Sequence, residues 1–191
     1  AVLFNETYNK LLASKSFREI FIEIFIPFLE YIGLLWQTKS IKPAHEHFIS
    51  NLIIQKIQSN IEKNQSLNFQ KSDKVFVLFL PMDEIHELGL LYLHYELSLR
   101  GLHSIYLGPN IAMDHLFDLT ALYDNINFIS YFTVQPADNE IYNYLHKMND
   151  NILKNGHQFW FLGRKAHDYS LNGTLKSIKS FKSVEDLLNV L

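Results

Sequence analysis

The spacing of hydrophobic residues changes character about a third of the way along the chain. Residues 5–63 show helical spacing and no strand pattern. The predicted helices here are Asn5–Ala13, Ser16–Glu30, Tyr31–Lys39 and Pro43–Lys63. Ser16 and Glu19 have the spacing of a capping box. Pro27 and Gly33 are expected to kink or split the long apolar segment. The pattern predicts a small helical bundle.

After a polar segment, Asn64–Asp73, which is expected to be a linker, strands and helices alternate. The predicted strands are Lys74–Leu80, His103–Leu107, Ile126–Thr133, Gln158–Leu162 and Ser177–Phe181. The predicted helices are His86–Arg100, Ala112–Tyr123, Asn139–Lys154 and Val184–Val190. This alternation is typical of a doubly wound α/β domain with a parallel five-stranded sheet. We therefore expect two domains, residues 1–70 and residues 71–191.

Composition narrows the class of protein. The chain has 191 residues, 48% of them hydrophobic, a net charge of −3 and no cysteine. It has no overall basic character for binding nucleic acid, and disulfides, thiolate metal sites and cysteine nucleophiles are excluded. The apolar stretch Ile20–Trp36 is interrupted by Glu23 and Glu30, so no membrane span is predicted, and a cytoplasmic protein is expected. Because the sequence begins at Ala1, we expect a fragment that lacks an N-terminal part.

The first predicted strand leads into a polar turn that holds a candidate metal ligand. Six consecutive apolar residues, Val75–Leu80, predict a strand buried on both faces. Ligands of open α/β sheets bind beyond the carboxyl ends of such strands, where His86 is expected to lie. Glu84, two residues earlier, would orient the imidazole of a ligating histidine. The alternative is a histidine that flanks the next helix and binds nothing.

Glycines are expected to line the same edge of the sheet. Gly89 lies near the start of the first helix of the α/β domain, Gly108 follows the second strand and Gly163 follows the fourth. Glycine permits close approach of the backbone to a ligand. The sequence contains neither Gly-x-Gly-x-x-Gly nor a P-loop, so ordinary dinucleotide or nucleotide binding is not supported.

The helical half holds a second group of candidates. On a helical wheel Glu46 falls with Ile49 and Ile53 on the apolar stripe, and His47 lies at its margin. A carboxylate on such a stripe is unfavourable unless it is paired or lines a cavity. With Trp36, these polar groups suggest a small cavity with one aromatic wall. The alternative is that Glu46 only favours the positive helix N-terminus and that Trp36 is core.

Two spacings carry a resemblance to a known family. The motif Glu84-x-His86-x-x-Gly89 after a helical bundle resembles the cobalamin-binding module of methionine synthase type. Trp36, followed after nine residues by Glu46-His47, resembles one branch of that family. That branch comprises the C-terminal sensory domains of MerR-type transcriptional regulators that are CarH/LitR-like. The resemblance implies a flavodoxin/Rossmann-like α/β fold and adenosylcobalamin as the cofactor.

The resemblance implies roles at the lower face of the cofactor. His86 would be the lower axial ligand of cobalt in place of the cofactor's own benzimidazole base, and Glu84 would orient it. The displaced nucleotide tail would insert beside Gly89, Ser130 and Gly163.

At the upper face, Trp36 would pack on the adenosyl group and Glu46 would hydrogen-bond it. His47 would be a candidate upper ligand after light breaks the cobalt–carbon bond. The protein would be a homo-oligomer, a dimer or a tetramer, and would bind DNA through an N-terminal domain outside this sequence.

The chain departs from the family pattern where the tail would pass. Arg164 follows Gly163 in place of a second glycine, and Ser130 is followed by Tyr131-Phe132, with a bulky aromatic. Arg164 and Phe132 are expected to narrow that path.

We expect no catalytic activity of the chain itself, and three functions stay open. The first is the adenosylcobalamin-binding sensory and oligomerisation domain of a transcriptional repressor, with light as a candidate signal. The second is a corrinoid carrier module for methyl transfer. The third is a degenerate protein-interaction domain that functions without cobalamin.

Overall fold

A computed structural model describes residues 1–38, 40–65, 73–168 and 175–191. The chain forms two compact units, Ala1–Asn60 and Ile61–Leu191. The domain boundary predicted at residues 70 and 71 lies outside the described residues, as does most of the predicted linker.

Helices make up the first unit, and the last of them continues into the second. Their bounds are α1 Val2–Leu12, α2 Phe17–Ile20, α3 Ile26–Gln37 and α4 Pro43–Gln65. Ser16 and Glu19 form the predicted capping box at the start of α2. A π-helical turn, Phe21–Phe25, joins α2 to α3.

The structure shows no split at Gly33, and the π-helical turn Phe21–Phe25 ends just before Pro27. Pro27 falls in the first turn of α3, where its missing N–H disturbs the helix least, and Gly33 is accommodated within the helix. None of the helices in the described part of the chain combines the length and the apolarity that a membrane crossing needs.

Aromatic rings fill the core of the first unit. The ring of Tyr8 stacks on Phe25 at a centroid distance of 6.2 Å and meets Phe17 edge-on at 6.5 Å. The α4 side chains Ile53 and Ile57 are fully buried, as the predicted apolar stripe requires.

The second unit is built on a parallel sheet in the order β2-β1-β3-β4-β5. Its strands are β1 Lys74–Pro81, β2 Ser104–Ile111, β3 Asn125–Tyr131, β4 Gln158–Leu162 and β5 Ile178–Ser180. Its helices are α5 Leu88–Leu99, α6 Phe117–Thr120, α7 Ile141–Asn151, α8 Arg164–Asp168 and α9 Val184–Leu188. The predicted α/β class with a parallel five-stranded sheet is confirmed.

Alternate residues of each strand enter two separate cores, as strand geometry dictates. One core contains Phe79, Phe128 and Phe161, together with Leu145 of α7. The opposite core contains Leu78, Ile129 and Leu162 of the sheet, with Leu90, Leu93 and Leu97 of α5. Both faces of the central strands are therefore covered, which explains the unbroken apolar run of β1.

In the second unit, one predicted helix is replaced by short turns and one strand is longer than predicted. In place of helix Ala112–Tyr123 there are only a 3₁₀ turn, Met113–Leu116, and the single turn α6. Phe117 and Leu122 are 60% and 70% exposed. Leu116 is fully buried and Met113 and Leu119 pack against the core, a spacing of three residues that suits a 3₁₀ turn. β2 continues past its predicted end because Gly108, at φ +88°, lies at a register shift against β1 and does not end the strand.

Helix α5 begins at Leu88, not at His86 as predicted. Glu84 accepts hydrogen bonds from the amides of Ile85 (3.0 Å) and His86 (3.1 Å). These bonds hold the two residues in a turn before the helix, so His86 belongs to the loop after β1.

Helix α5 carries a buried histidine, and we expect it to make the stability of the fold depend on pH. His94 is 6% exposed and stacks on Tyr106 at a centroid distance of 5.6 Å, and its Nδ1 has no hydrogen-bond partner among the described residues. Burial lowers its pKa from 6.5 to about 4. The His94 ring therefore binds a proton more readily in the unfolded chain than in the folded one. The free energy of unfolding should fall between pH 6.5 and 4, by on the order of 3 kcal/mol.

Urea unfolding of the native chain and of His94→Gln across this pH range measures the effect. The variant should show a flatter profile between pH 6.5 and 4. Parallel profiles would mean that another group is responsible.

Candidate functional site

The loop after β1 is folded sharply before it reaches the candidate ligand. Asp83 adopts a left-handed conformation, φ +62°, and its amide donates to Asn110 Oδ1 (2.9 Å) at the end of β2. The Glu84 amide donates to the carbonyl of Pro81 (3.1 Å). This turn directs the Glu84 side chain beneath the loop, where it is completely buried.

Glu84 joins the loop after β1 to the loop after β3. Its Oε2 accepts hydrogen bonds from three consecutive amides, those of Thr133 (3.1 Å), Val134 (2.6 Å) and Gln135 (2.8 Å). Successive backbone amides that converge in this way form an anion-binding nest. The buried carboxylate is therefore satisfied, and it fixes two loops at the carboxyl edge of the sheet.

Glu84 also determines the state of His86. His86 Nδ1 lies 2.5 Å from Glu84 Oε1. Burial raises the pKa of Glu84, but the bonds from His86 and from the amides of Gln135 and Val134 outweigh it, so the pKa lies well below its ordinary value. An ionised carboxylate at Nδ1 favours a proton there, so Nε2 is the ring nitrogen that could ligate a metal. The His86 side chain is 51% exposed.

Sequence reasoning missed the residues that support these loops. Lys165 in α8 donates to the carbonyl of Pro136 (2.6 Å) and pairs with Asp138 (2.7 Å). The hydroxyl of Tyr106 donates to Glu87 (2.7 Å), immediately after His86. No local motif marks these residues, because their partners lie far away along the sequence.

Gly89 and Gly163 lie on either side of one aromatic ring. A Cβ atom added at Gly89 would lie 2.7 Å from the Tyr131 ring, and one added at Gly163 would lie 2.8 Å from the same ring. Gly163 also has φ +103°, which favours glycine. We call the space bounded by these two glycines the glycine slot. The side chain of Tyr131 fills it.

Ser130 lies on the opposite face of the sheet. It is paired in register with Phe79 and Phe161, which belong to the core on the side away from α5. Ser130 is fully buried, and its Oγ has no hydrogen-bond partner among the described residues. The structure therefore brings Gly89 and Gly163 together around Tyr131, while Ser130 faces away from that ring.

Arg164 and Phe132, which were expected to narrow the path of the nucleotide tail, do not lie in the glycine slot. Phe132 is fully buried in the core away from α5, where its ring stacks on Phe161 at 5.0 Å. Arg164 is exposed at the start of α8. The expectation named the wrong aromatic residue because alternate residues of a strand face opposite sides, and Tyr131, not Phe132, faces α5.

The candidates of the helical unit lie on two helices. Trp36 is near the end of α3 and is 53% exposed, so it is not a core residue. Glu46 lies in the first turn of α4 and His47 directly after it, and His47 Nδ1 is 3.6 Å from a Glu46 oxygen. Ser50 donates to the other Glu46 oxygen (2.7 Å). Glu46 is half-buried on the predicted stripe, and His47 is exposed.

A double-mutant cycle tests the packing of the slot. Gly89→Ala should lower the free energy of unfolding by about 1–3 kcal/mol, because the new methyl group collides with the Tyr131 ring. In a Tyr131→Ala background the same change should stabilise by up to about 1 kcal/mol, since alanine favours the helix. Denaturant unfolding of the four chains measures the coupling. Equal effects in both backgrounds would show that the ring does not fill the slot.

The site formed by His86 and Glu84 meets the chemical needs of a corrinoid. The ring nitrogens of a corrinoid hold the cobalt, so the protein supplies one axial ligand, and His86 with its buried carboxylate is a suitable one. Within the described residues there is no group of three or more histidine, aspartate or glutamate side chains that could hold a metal ion by itself. The glycine slot does not fit an inserted nucleotide tail while Tyr131 fills it.

Comparisons with known proteins give a family match in the helical unit and a likeness in fold. Residues 2–59 match the family model described as a B12 binding domain. The structure of the Methanosarcina barkeri monomethylamine corrinoid protein is similar over 96% of this chain and 86% of its own, with a TM-score of 0.73 and 12% identity.

The methanol:cobalamin methyltransferase complex MtaBC from Methanosarcina barkeri is similar over 90% of this chain and 65% of its own, with a TM-score of 0.51 and 12% identity. No curated protein sequence matches the chain. The chain therefore carries a B12 binding domain match in its helical unit and has the fold of corrinoid proteins, and the match supports cobalamin as the cofactor.

Proposed function

We propose that this chain is a corrinoid-binding carrier module in which His86 is the lower axial ligand of cobalt. The observation that carries the proposal is the contact of 2.5 Å between His86 Nδ1 and the fully buried Glu84, just beyond the carboxyl end of the interior strand β1. A metal-ligating histidine ordinarily has such a carboxylate at its other ring nitrogen. The B12 binding domain match over residues 2–59 supports the same function.

A bound corrinoid would supply the methyl-transfer chemistry. The chain holds and orients the corrinoid. Glu84 keeps a proton on His86 Nδ1, which strengthens Nε2 as a donor. The nest of amides in residues 133–135 fixes the carboxylate, so the imidazole is oriented before the cofactor binds.

A carrier requires a partner enzyme that adds or removes the methyl group. We propose a methyltransferase as that partner and assign no catalytic activity to the chain itself. The likeness in fold to a corrinoid protein and to a methyltransferase complex supports this choice over a regulator.

Retention of corrinoid tests the proposal. The purified chain is incubated separately with hydroxocobalamin and with aquacobinamide, which lacks the lower nucleotide, and then passed through gel filtration. We expect at least one corrinoid to co-elute, with its visible spectrum shifted towards that of a nitrogen-ligated cobalt. Elution of both corrinoids entirely apart from the protein would refute the proposal.

A second candidate is the light-responsive sensory domain of a transcriptional repressor. The exposed indole of Trp36 and the Glu46–His47 pair favour it, because an aromatic side chain and polar groups suit an adenosyl group. The chain loaded with adenosylcobalamin should then change its oligomeric state, between monomer and a dimer or tetramer, on illumination. Light scattering before and after light measures this, with Trp36→Ala as the comparison. An unchanged mass would leave the carrier as the better candidate.

A further inference from the structure

Tyr131 fills a space that a larger ligand would need. We propose that Tyr131 is a specificity-determining residue, which makes the site select corrinoids whose lower nucleotide is absent or stays outside the glycine slot. The inference rests on the proposed function, since it requires a corrinoid at His86.

The ring is held closely between two backbone segments. A Cβ atom added at Gly89 or at Gly163 would lie 2.7 Å or 2.8 Å from the ring, so no further carbon atom fits beside it. Its backbone is fixed as well, because Tyr131 is paired with Leu162 of β4 and the next amide, that of Phe132, donates to the Leu162 carbonyl (2.8 Å). Only rotation of the side chain can therefore empty the slot.

Apolar packing favours the position of the Tyr131 ring in the glycine slot. Tyr131 packs against the core shared with α5, and burial raises the pKa of its hydroxyl, so the side chain is a neutral, largely apolar group. A nucleotide tail that entered the slot would move this ring from its apolar surroundings towards water. The loss of burial should weaken binding of such a corrinoid by about ten- to a hundredfold.

A corrinoid without the nucleotide avoids this loss. Cobinamide has the same ring and cobalt as cobalamin but no lower base, so it can coordinate His86 while Tyr131 remains in place. The cofactor class that fits the observed side chains is therefore a corrinoid of the cobinamide kind.

Absorbance titrations with aquacobinamide and aquacobalamin give the dissociation constants for the native chain, Tyr131→Phe, Tyr131→Leu and Tyr131→Ala. Cobalamin must also release its own base before His86 can bind. The ratio of the two dissociation constants in the native chain therefore does not by itself measure the effect of the Tyr131 ring. The change in that ratio between variants does, because the release is common to all of them.

We expect Tyr131→Ala to move the ratio towards cobalamin by at least about tenfold, while cobinamide binding changes little. Tyr131→Leu should give a smaller shift in the same direction, and Tyr131→Phe should keep the native ratio because it keeps the ring. Unchanged cobinamide binding also shows that each variant is folded at the site.

Three outcomes would overturn the inference. A ratio that is the same in all four chains means that the ring does not exclude the tail. Loss of cobinamide binding in both Tyr131→Ala and Tyr131→Leu means that the ring supports the loops and not selectivity. Failure of every chain to bind either corrinoid removes the proposed function, whereas the first two outcomes leave it intact.

Discussion

His86→Ala should raise the dissociation constant of aquacobinamide more than about a hundredfold, since removing only a supporting residue of a metal ligand already costs ten- to a hundredfold. The side chain is half-exposed in the loop before α5, so its loss should leave the fold in place. The nitrogen-ligated visible spectrum should disappear in the same variant. Absorbance titration measures both effects, and denaturant unfolding checks the fold.

His115→Ala is the matched control, because His115 is another exposed histidine of the same unit. Its corrinoid affinity should equal that of the native chain. If His86→Ala and His115→Ala bind alike, His86 is not the ligand, whatever the chain retains on gel filtration.

Glu84→Ala should lower the free energy of unfolding by about 3–5 kcal/mol, the usual effect of breaking a buried charged network. The carboxylate is fully buried, and the amides of Thr133, Val134 and Gln135 would lose their acceptor. Corrinoid affinity should fall as well, by ten- to a hundredfold, because His86 loses its orienting group.

Asp83→Asn is the control for this second prediction. It removes the neighbouring carboxylate, which is exposed, and asparagine tolerates the left-handed conformation found there. Its unfolding free energy should stay within about 0.5 kcal/mol of the native value. Equal destabilisation by both changes would show that the loop, and not the buried carboxylate, determines the effect.

Much of the fold was predictable because strong periodic signals carry it. The apolar run of β1 and the stripe of Ile53 and Ile57 lie where the pattern predicts them. The helix predicted at Ala112–Tyr123 fails for a physical reason. Leu116 is fully buried while the next residue, Phe117, is exposed, and only packing decides whether such a segment forms a helix.

The candidate site was predictable only as far as its local motif extends. Glu84 and His86 are two residues apart, so the sequence indicates their contact. The nest that holds Glu84 comes from amides about fifty residues away, which no local pattern can indicate. Tyr131 illustrates the same limit, since only the fold brings Gly89 and Gly163 to the two sides of its ring.

Electron paramagnetic resonance of the chain with Co(II) cobinamide tests most directly whether His86 binds cobalt. Cobinamide has no nitrogen base of its own, so an axial nitrogen must come from the protein. We predict that the cobalt lines are split into triplets by nitrogen-14 in the unlabelled protein and into doublets when the histidines carry nitrogen-15. The variant His86→Ala should show no nitrogen splitting. A spectrum without nitrogen splitting, or a splitting that survives in His86→Ala, would contradict the assignment.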